Sequence, residues 1–100
     1  MTPHIAEIQV AVCQYYHIAP IEMVSQRKGR AVARPRQVAM YLARELTPLS
    51  LPAIGRMFAR DHTTVIHAIA TVEAIMRSDP VFAASVAMLQ RSLAPPLGQA

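Results

Sequence analysis

Apolar residues recur at spacings of three and four along nearly the whole chain, which is the period of an amphipathic α-helix. No stretch of alternating apolar and polar residues competes with this pattern, and the chain contains no internal repeat. The pattern therefore predicts an all-α bundle of about six helices. The first apolar row comprises Ile5, Ile8, Val12 and the Tyr15–Tyr16 pair.

Prolines and capping residues divide the helical pattern into segments. Pro20 suits the first position of a short second helix over Ile21–Val24. A third helix around Pro35 is expected to end near Thr47, because Pro48 disfavours helical geometry in the residue before it.

The second half of the chain contains three further predicted helices. Ser50 is a favourable N-cap for the fourth, and a tight turn at Ala59–Asp61 leads into the fifth, from His62 to about Arg77. Asp79–Pro80 marks a break before the sixth. We predict one domain over residues 1–93 and a flexible tail over residues 94–100. The apolar rows of the third to sixth helices are, in order, Val38, Tyr41, Leu42 and Leu46; Ile54, Met57 and Phe58; Val65, Ile69, Val72 and Met76; and Phe82, Val86, Leu89 and Leu93.

Composition excludes several classes of function. With 100 residues, 53% of them hydrophobic, the chain is long enough for one small domain with a buried core. Its three glycines, at positions 29, 55 and 98, cannot form either glycine-rich nucleotide-binding motif in any register. The single cysteine, Cys13, excludes a disulfide framework and a cysteine-based zinc site, and its surroundings in the sequence predict a buried thiol.

Nothing in the chain predicts a membrane or secretory segment. The longest stretch without a charged residue, residues 8–21, is too short to span a bilayer. The N-terminus lacks the basic region of a signal peptide. We therefore expect a cytoplasmic protein.

Positive charge is concentrated in one segment. The chain has ten Lys and Arg residues against six Asp and Glu, and five of the ten lie within residues 27–36 with no acid among them. Arginine side chains suit phosphate oxygens, and a polyanionic partner would relieve the repulsion among the five cations. A solvated loop without a partner is the simpler alternative. The five are Arg27, Lys28, Arg30, Arg34 and Arg36, and residues Ser25–Arg30 are named the basic loop.

Residues 50–69 have the pattern of a helix-turn-helix, in which the second helix enters the DNA major groove with its N-terminal end. The first turn of that helix is small and polar. Asp61 can accept from a cytosine amino group, and the methyl groups of Thr63 and Thr64 can touch thymine methyls. The His62 imidazole can bond a base edge or a phosphate. Asp61 or Thr63 could instead serve as the N-cap, so both interpretations stay open.

Other chemistries lack the necessary spacing. His62 and His67 are five positions apart, which is unsuited to sharing a metal on one helix face. The six acids are scattered singly, and there is no G-x-S-x-G motif. We expect no enzymatic activity, no metal and no cofactor. The aromatic residues fall at core spacing and not in an exposed stacking row: Tyr15, Tyr16, Tyr41, Phe58 and Phe82.

Residues 60–68 (RDHTTVIHA) resemble the signature of the C-terminal DNA-binding domain of DnaA, the bacterial chromosomal replication initiator. Matching blocks at residues 33–42 and 50–55, and at Tyr15–Tyr16, extend the resemblance over roughly residues 5–75. It implies a Trp-repressor-like helix-turn-helix that binds a short asymmetric duplex site, the DnaA box. The second helix of the motif would lie in the major groove and the basic loop in the adjacent minor groove.

The resemblance also assigns roles by position. It implies a function in replication initiation, in its regulation, or in transcriptional control, with double-stranded DNA as the partner. Base readout falls to Asp61, His62, Thr63, Thr64 and His67. Contacts of the basic loop and with phosphate fall to Arg27, Lys28, Arg30, Arg34, Arg36, Gln37, Arg44 and Arg60.

Three departures from the family pattern change the expectation. Lys28 stands where the family usually has an arginine inserted into the minor groove, and lysine lacks the planar fork, so we expect weaker selectivity there. Ala59 replaces a Gly-Gly-like pair, so the turn before Arg60 is shorter. The ATPase module of the initiator has no counterpart, so we expect a stand-alone domain that binds no nucleotide and does not melt DNA by that route.

An interaction module is the alternative from another class of function. Here the helix-turn-helix scaffold keeps residual, non-specific DNA binding while the apolar row of the sixth helix docks a protein partner or a second copy. The simpler alternative for that row, Phe82 to Leu93, is that it packs on the bundle.

Overall fold

A computed structural model describes residues 2–94 and confirms the predicted all-α architecture, with no strand in that range. The second predicted helix is a single 3₁₀ turn, Pro20–Met23, so the described chain has five α-helices. Apart from Ala94, the tail predicted over residues 94–100 lies outside the described residues. The helices are α1 (Ile5–Tyr16), α2 (Arg30–Leu46), α3 (Leu51–Met57), α4 (His62–Ser78) and α5 (Pro80–Leu93).

Side chains cap the starts of α3 and α5. The Ser50 hydroxyl accepts from the backbone N–H of Ala53 at 3.2 Å, which confirms Ser50 as the N-cap of α3. Asp79 ends α4 and also caps α5, accepting from the N–H groups of Val81 and Phe82 at 3.1 Å each. A single residue therefore joins the last two helices.

The central helix of the bundle is α2, which contacts α1, α3, α4 and α5. Residues Val38–Ala43 are all buried, so this part of α2 is surrounded on every side. The helix starts at Arg30, earlier than expected, and Pro35 lies inside it. Gly29 precedes the helix with a φ of 103°, a backbone conformation that glycine adopts readily. The residues that other elements bury against this centre include Ile8, Val12, Cys13, Ile54, Phe58, Val65, Val72, Val86 and Leu89.

Two apolar residues depart from their predicted environment. Tyr15 is exposed, and its hydroxyl donates to Ser85 Oγ at 2.9 Å, because adjacent helical positions cannot both face the core and Tyr16 takes the inner place. Met57 is also exposed at the end of α3.

The row from Phe82 to Leu93 packs on the bundle, with Val86 and Leu89 buried, so this row of α5 is not an open docking face.

The turn between α3 and α4 requires a very close backbone approach. The carbonyl of Gly55 accepts from the N–H of Arg60 at 2.8 Å, and a Cβ at position 55 would lie 2.6 Å from the Arg60 carbonyl oxygen. Ala59 has a φ of 54°, in the left-handed region that disfavours residues with a Cβ. The predicted tight turn is confirmed, and one strained residue completes it.

Replacing that residue should relieve the strain. We expect Ala59→Gly to raise the free energy of unfolding by about 0.5–1 kcal/mol, because a left-handed residue with a Cβ costs about 1–2 kcal/mol while the extra freedom of glycine in the unfolded chain costs about 0.4–1 kcal/mol. Urea unfolding followed by circular dichroism measures the change. The matched control, Ala84→Gly at an exposed position of α5, should lower the free energy of unfolding by about 1 kcal/mol. Equal destabilisation by both variants would contradict strain at Ala59.

Candidate nucleic-acid interface

A cleft of about 320 Å³ separates the basic loop from α4, with α2 forming its floor. We name it the central cleft. Its lining is polar and cationic at the rim, where exposed side chains of the loop and of α4 face each other. The lining residues are Gln26, Arg27, Lys28, Ala33, Arg36, Gln37, Met40, Arg60, Thr64, His67, Ala68 and Thr71.

The first turns of α4 present two groups of predicted readout residues. Thr64 and His67 are exposed and line the central cleft, at the spacing that places residues on one helical face. Asp61, His62 and Thr63 are exposed at the N-terminus of the helix and do not line the cleft. Both groups lie at the N-cap or in the first two turns of α4.

Asp61 occupies the N-cap position of α4, and its carbonyl accepts from the N–H of Thr64 at 3.0 Å. Its carboxylate is held by side chains: the Thr63 hydroxyl donates to Oδ2 at 3.1 Å, and His62 Nδ1 lies 2.9 Å from Oδ1. The Thr63 hydrogen bond chiefly lowers the pKa of Asp61, and the His62 charge lowers it further. The carboxylate is therefore an ionised acceptor at neutral pH.

Three cleft or surface residues were missed by the sequence reasoning. Thr71 continues the row of Thr64 and His67 by one further turn, so extending the helical period would have found it. Ile66 is 43% exposed beside this row and offers an apolar contact. Gln26 lines the cleft from the basic loop but carries no charge that would have drawn attention.

Arg36 lines the central cleft, but its side chain is largely buried. Its side chain was expected against phosphate, but the residue is only 6% exposed. Nε and Nη2 donate to the carbonyl of Glu22 at 3.0 and 2.6 Å, and Nη1 and Nη2 lie 3.4 Å from the carbonyl of Arg27. Burial lowers the pKa of Arg36, and the Arg60 charge lowers it further, although an arginine side chain stays protonated in proteins. These donors bond to the backbone of the basic loop and of Glu22, which precedes it.

Two other predicted cations are also engaged within the protein. Arg60 is partly buried and donates to the carbonyls of Phe58 at 2.9 Å and Ser25 at 2.6 Å. Arg34 Nε donates to Gln37 Oε1 at 3.1 Å, and its guanidinium lies 6.0 Å from the centre of the Phe82 ring. Arg34 therefore reaches across to α5.

The remaining predicted cations are exposed. Lys28 and Arg30 lie on the surface of the basic loop, and Arg44 lies on the surface of α2. Arg44 continues the cleft-lining row of Gln37 and Met40 at helical spacing. Arg27 is largely exposed, with a side chain that pairs with the Glu22 carboxylate.

The Glu22 carboxylate contacts two residues of the basic loop. Its carboxylate accepts from the Ser25 hydroxyl at 2.7 Å and from Arg27. The Ser25 hydrogen bond is the largest cause of the lowered pKa of Glu22, and the Arg27 charge adds to it.

A known sequence family covers all the residues that line the central cleft. The bacterial DnaA helix-turn-helix model matches residues 5–72. The chain belongs to this family. A chromosomal replication initiator protein DnaA from Sphingopyxis alaskensis is 59% identical over 90 residues, which cover 89% of this chain and 20% of that protein. The corresponding protein from Gluconobacter oxydans is 54% identical over 90 residues, covering 89% of this chain and 19% of its own length.

The fold is shared with a protein of known structure. A crystal structure of a DNA replication initiation factor superposes with a TM-score of 0.80 at 34% identity, covering 89% of this chain and 27% of that one. The chain thus spans about one fifth of the length of the DnaA relatives it matches. The matched segment includes the basic loop, the helix-turn-helix and most of α4.

Two further findings concern other kinds of site. Within residues 2–94, no three His, Cys, Asp or Glu side chains converge as metal ligands. None of the described helices combines the length and apolar character needed to cross a membrane.

The Glu22 contacts predict a pH dependence of loop order. Because the folded pKa of Glu22 is lowered, its stabilising contribution is present above the ordinary value of 4.5 and is lost as the pH falls through the lowered folded pKa. We expect the amide NMR signals of Ser25 and Arg27 to titrate with a midpoint below 4.5. In Glu22→Gln that titration should be absent. A midpoint above 4.5, or an unchanged titration in the variant, would show that another group controls the loop.

Proposed function

We propose that this chain binds double-stranded DNA with sequence specificity, recognising a DnaA-box-like site in replication initiation, its regulation, or transcriptional control. One observation carries the proposal: a helix-turn-helix of the DnaA family presents an exposed polar first turn of α4 beside an exposed basic loop, across one cleft. Major-groove and minor-groove contacts from a single small domain require this juxtaposition.

The proposed binding divides into base readout and anchoring. The first turns of α4 enter the major groove, where ionised Asp61 accepts from a cytosine amino group and Thr63, Thr64 and His67 contact neighbouring base edges. Ile66 adds a thymine-methyl contact beside them. A single module of this kind buries about 600–1,000 Å² of its own surface on DNA.

Anchoring falls to exposed cations. Lys28 enters or borders the minor groove from the basic loop, while Arg30 and Arg44 reach phosphates on either side of the central cleft. Arg36 has no part in this set, because its donors are buried against backbone carbonyls. The net charge of +4 favours association with any duplex, so specificity must come from the groove contacts.

The decisive measurement compares two duplexes. Fluorescence anisotropy gives the Kd for a labelled duplex carrying a DnaA box and for a scrambled duplex of equal composition, over a series of salt concentrations. We expect tighter binding to the box that persists near physiological salt. Thr63→Val with His67→Ala should reduce the box preference by about tenfold or more, because each lost base contact costs about 1–3 kcal/mol of discrimination.

A matched double variant controls for the chemistry of these substitutions. Thr2→Val with His17→Asn removes a hydroxyl and an imidazole away from the cleft, and Asn tolerates the left-handed backbone of His17. It should bind both duplexes like the wild type. Equal, salt-sensitive binding of both duplexes by the wild-type protein would refute sequence specificity, and no binding by the folded protein would refute the DNA proposal as a whole.

The minor-groove role of Lys28 has its own test. A planar arginine is favoured in a narrow, electronegative A·T-rich groove, so Lys28→Arg should increase the preference for the box by several-fold at unchanged net charge. The same anisotropy titration measures it. Arg30→Lys, the reverse exchange at a neighbouring exposed position, should leave the preference within about twofold because a phosphate contact carries no sequence information. An unchanged preference in Lys28→Arg would place Lys28 outside the minor groove.

A further inference from the structure

Two guanidinium groups lie beneath the basic loop and hold its backbone. We propose that Arg36 and Arg60 are positioning residues, which fix the basic loop relative to the start of α4 and so couple the minor-groove and major-groove contacts. This inference rests on the proposed function for its consequence in DNA binding, while the structural coupling itself can be tested in the free protein.

Arg36 supports both sides of the loop. From the second turn of α2 it donates to the carbonyl of Glu22, which precedes the loop, and reaches the carbonyl of Arg27 within it. Its Nη2 also lies 3.4 Å from the Ser25 hydroxyl oxygen. One planar donor group therefore spans the path of the chain from Glu22 to Arg27, immediately before exposed Lys28.

Arg60 connects the loop to the helix-turn-helix. It belongs to the tight turn, directly before the N-cap Asp61 of α4, and donates to the carbonyl of Phe58 in the same turn. Its second hydrogen bond crosses 35 positions in the sequence to the carbonyl of Ser25. A displacement of the basic loop would break this bond or shift the turn that sets the orientation of α4.

The charges in this cluster are balanced by the loop and by Glu22, which precedes it. Arg36 and Arg60 are close enough for the charge of Arg60 to lower the pKa of Arg36. The carbonyl oxygens at Glu22, Ser25 and Arg27 face the two cations, and the Glu22 carboxylate supplies a negative charge beside them. Hydrogen bonds to charged donors are among the stronger ones, so this arrangement stabilises one conformation of the loop.

Charge and geometry can be separated by Arg-to-Lys substitutions. Lysine keeps the positive charge but lacks the planar fork that satisfies two carbonyls at once. A residue that merely attracts phosphate tolerates the exchange, whereas a positioning residue does not. The variants are Arg36→Lys and Arg60→Lys, with Arg91→Lys at an exposed position of α5 as the control.

The first readout is hydrogen exchange in the protein without DNA. The N–H groups of Ser25 and Arg27 bond to the Ile21 carbonyl and to the Ser25 hydroxyl oxygen. Both amides should exchange at least about fivefold faster in Arg36→Lys and Arg60→Lys, while amides in the middle of α2 and α4 stay unchanged. Unchanged exchange of the two loop amides would overturn the proposal whatever the DNA results.

The second readout is binding to the box and scrambled duplexes. The two variants should lose about tenfold of the box preference, while the slope of log Kd against log salt concentration stays at its wild-type value because no phosphate contact is lost. Wild-type preference in Arg60→Lys, or a slope reduced by about one counterion, would overturn the positioning role.

The outcomes keep the two proposals distinct. If the wild-type protein itself fails to prefer the box, the proposed function fails, and the exchange rates alone decide whether the two arginines hold the loop. If Arg36→Lys does not fold, partly exposed Arg60 still provides the test through Arg60→Lys and Arg60→Gln, with the circular dichroism spectrum confirming the fold. A lowered melting temperature with full box preference in the folded variants would show a purely structural role.

Discussion

The burial of α2 along Val38–Ala43 is the constraint on which the other elements depend. A helix surrounded on every side gives each neighbour an apolar surface, and each large side chain buried there contributes about 1.5–3 kcal/mol relative to its exposed state. Its N-terminal half carries Arg36 toward the basic loop, and the same helix also packs against α1. The site is thus built outward from the same helix that forms the core.

The cations of this small domain serve two different purposes. Some make contacts within the protein: Arg36 and Arg60 bond to carbonyls, and Arg34 contacts Gln37 and the ring of Phe82. Others remain exposed, among them Lys28 and Arg30. A count of positive charge in the segment overstates the number of groups that face a polyanion. Under the proposed function, the internal cations matter for binding because they determine where the exposed ones are held.

Local features of the sequence predicted most of the fold. Helical period, the Ser50 cap and the Asp79–Pro80 break depend on neighbours within a few positions, and so they could be identified without tertiary information. The environment of Tyr15 and the 3₁₀ character of Pro20–Met23 depend on how the elements pack, which the period alone does not specify. The family resemblance identified the helix-turn-helix as one of the DnaA type, which the spacing of apolar residues alone does not specify.

Arg36 shows why the candidate site was less predictable than the fold. It lies among arginines of similar local sequence, and composition treats them all as surface cations. Its partners, the carbonyls of Glu22 and Arg27, become visible only once the loop folds back on α2. A signal was present, because position 36 falls between buried Val32 and Ala39 at spacings of four and three. When buried positions are predicted, the helical period should therefore be applied to charged residues as well as to apolar ones.

The junction at Asp79 has a mechanical consequence for the end of the domain. Because this residue ends α4 and caps α5, no other residue separates the two helices. Adding or removing one residue in the last turn of α4 would swing α5 by about 100° around the α4 axis and carry Val86 and Leu89 away from their packing sites. The length of α4 is consequently fixed by the fit of a different helix, some distance from the residues that face the cleft.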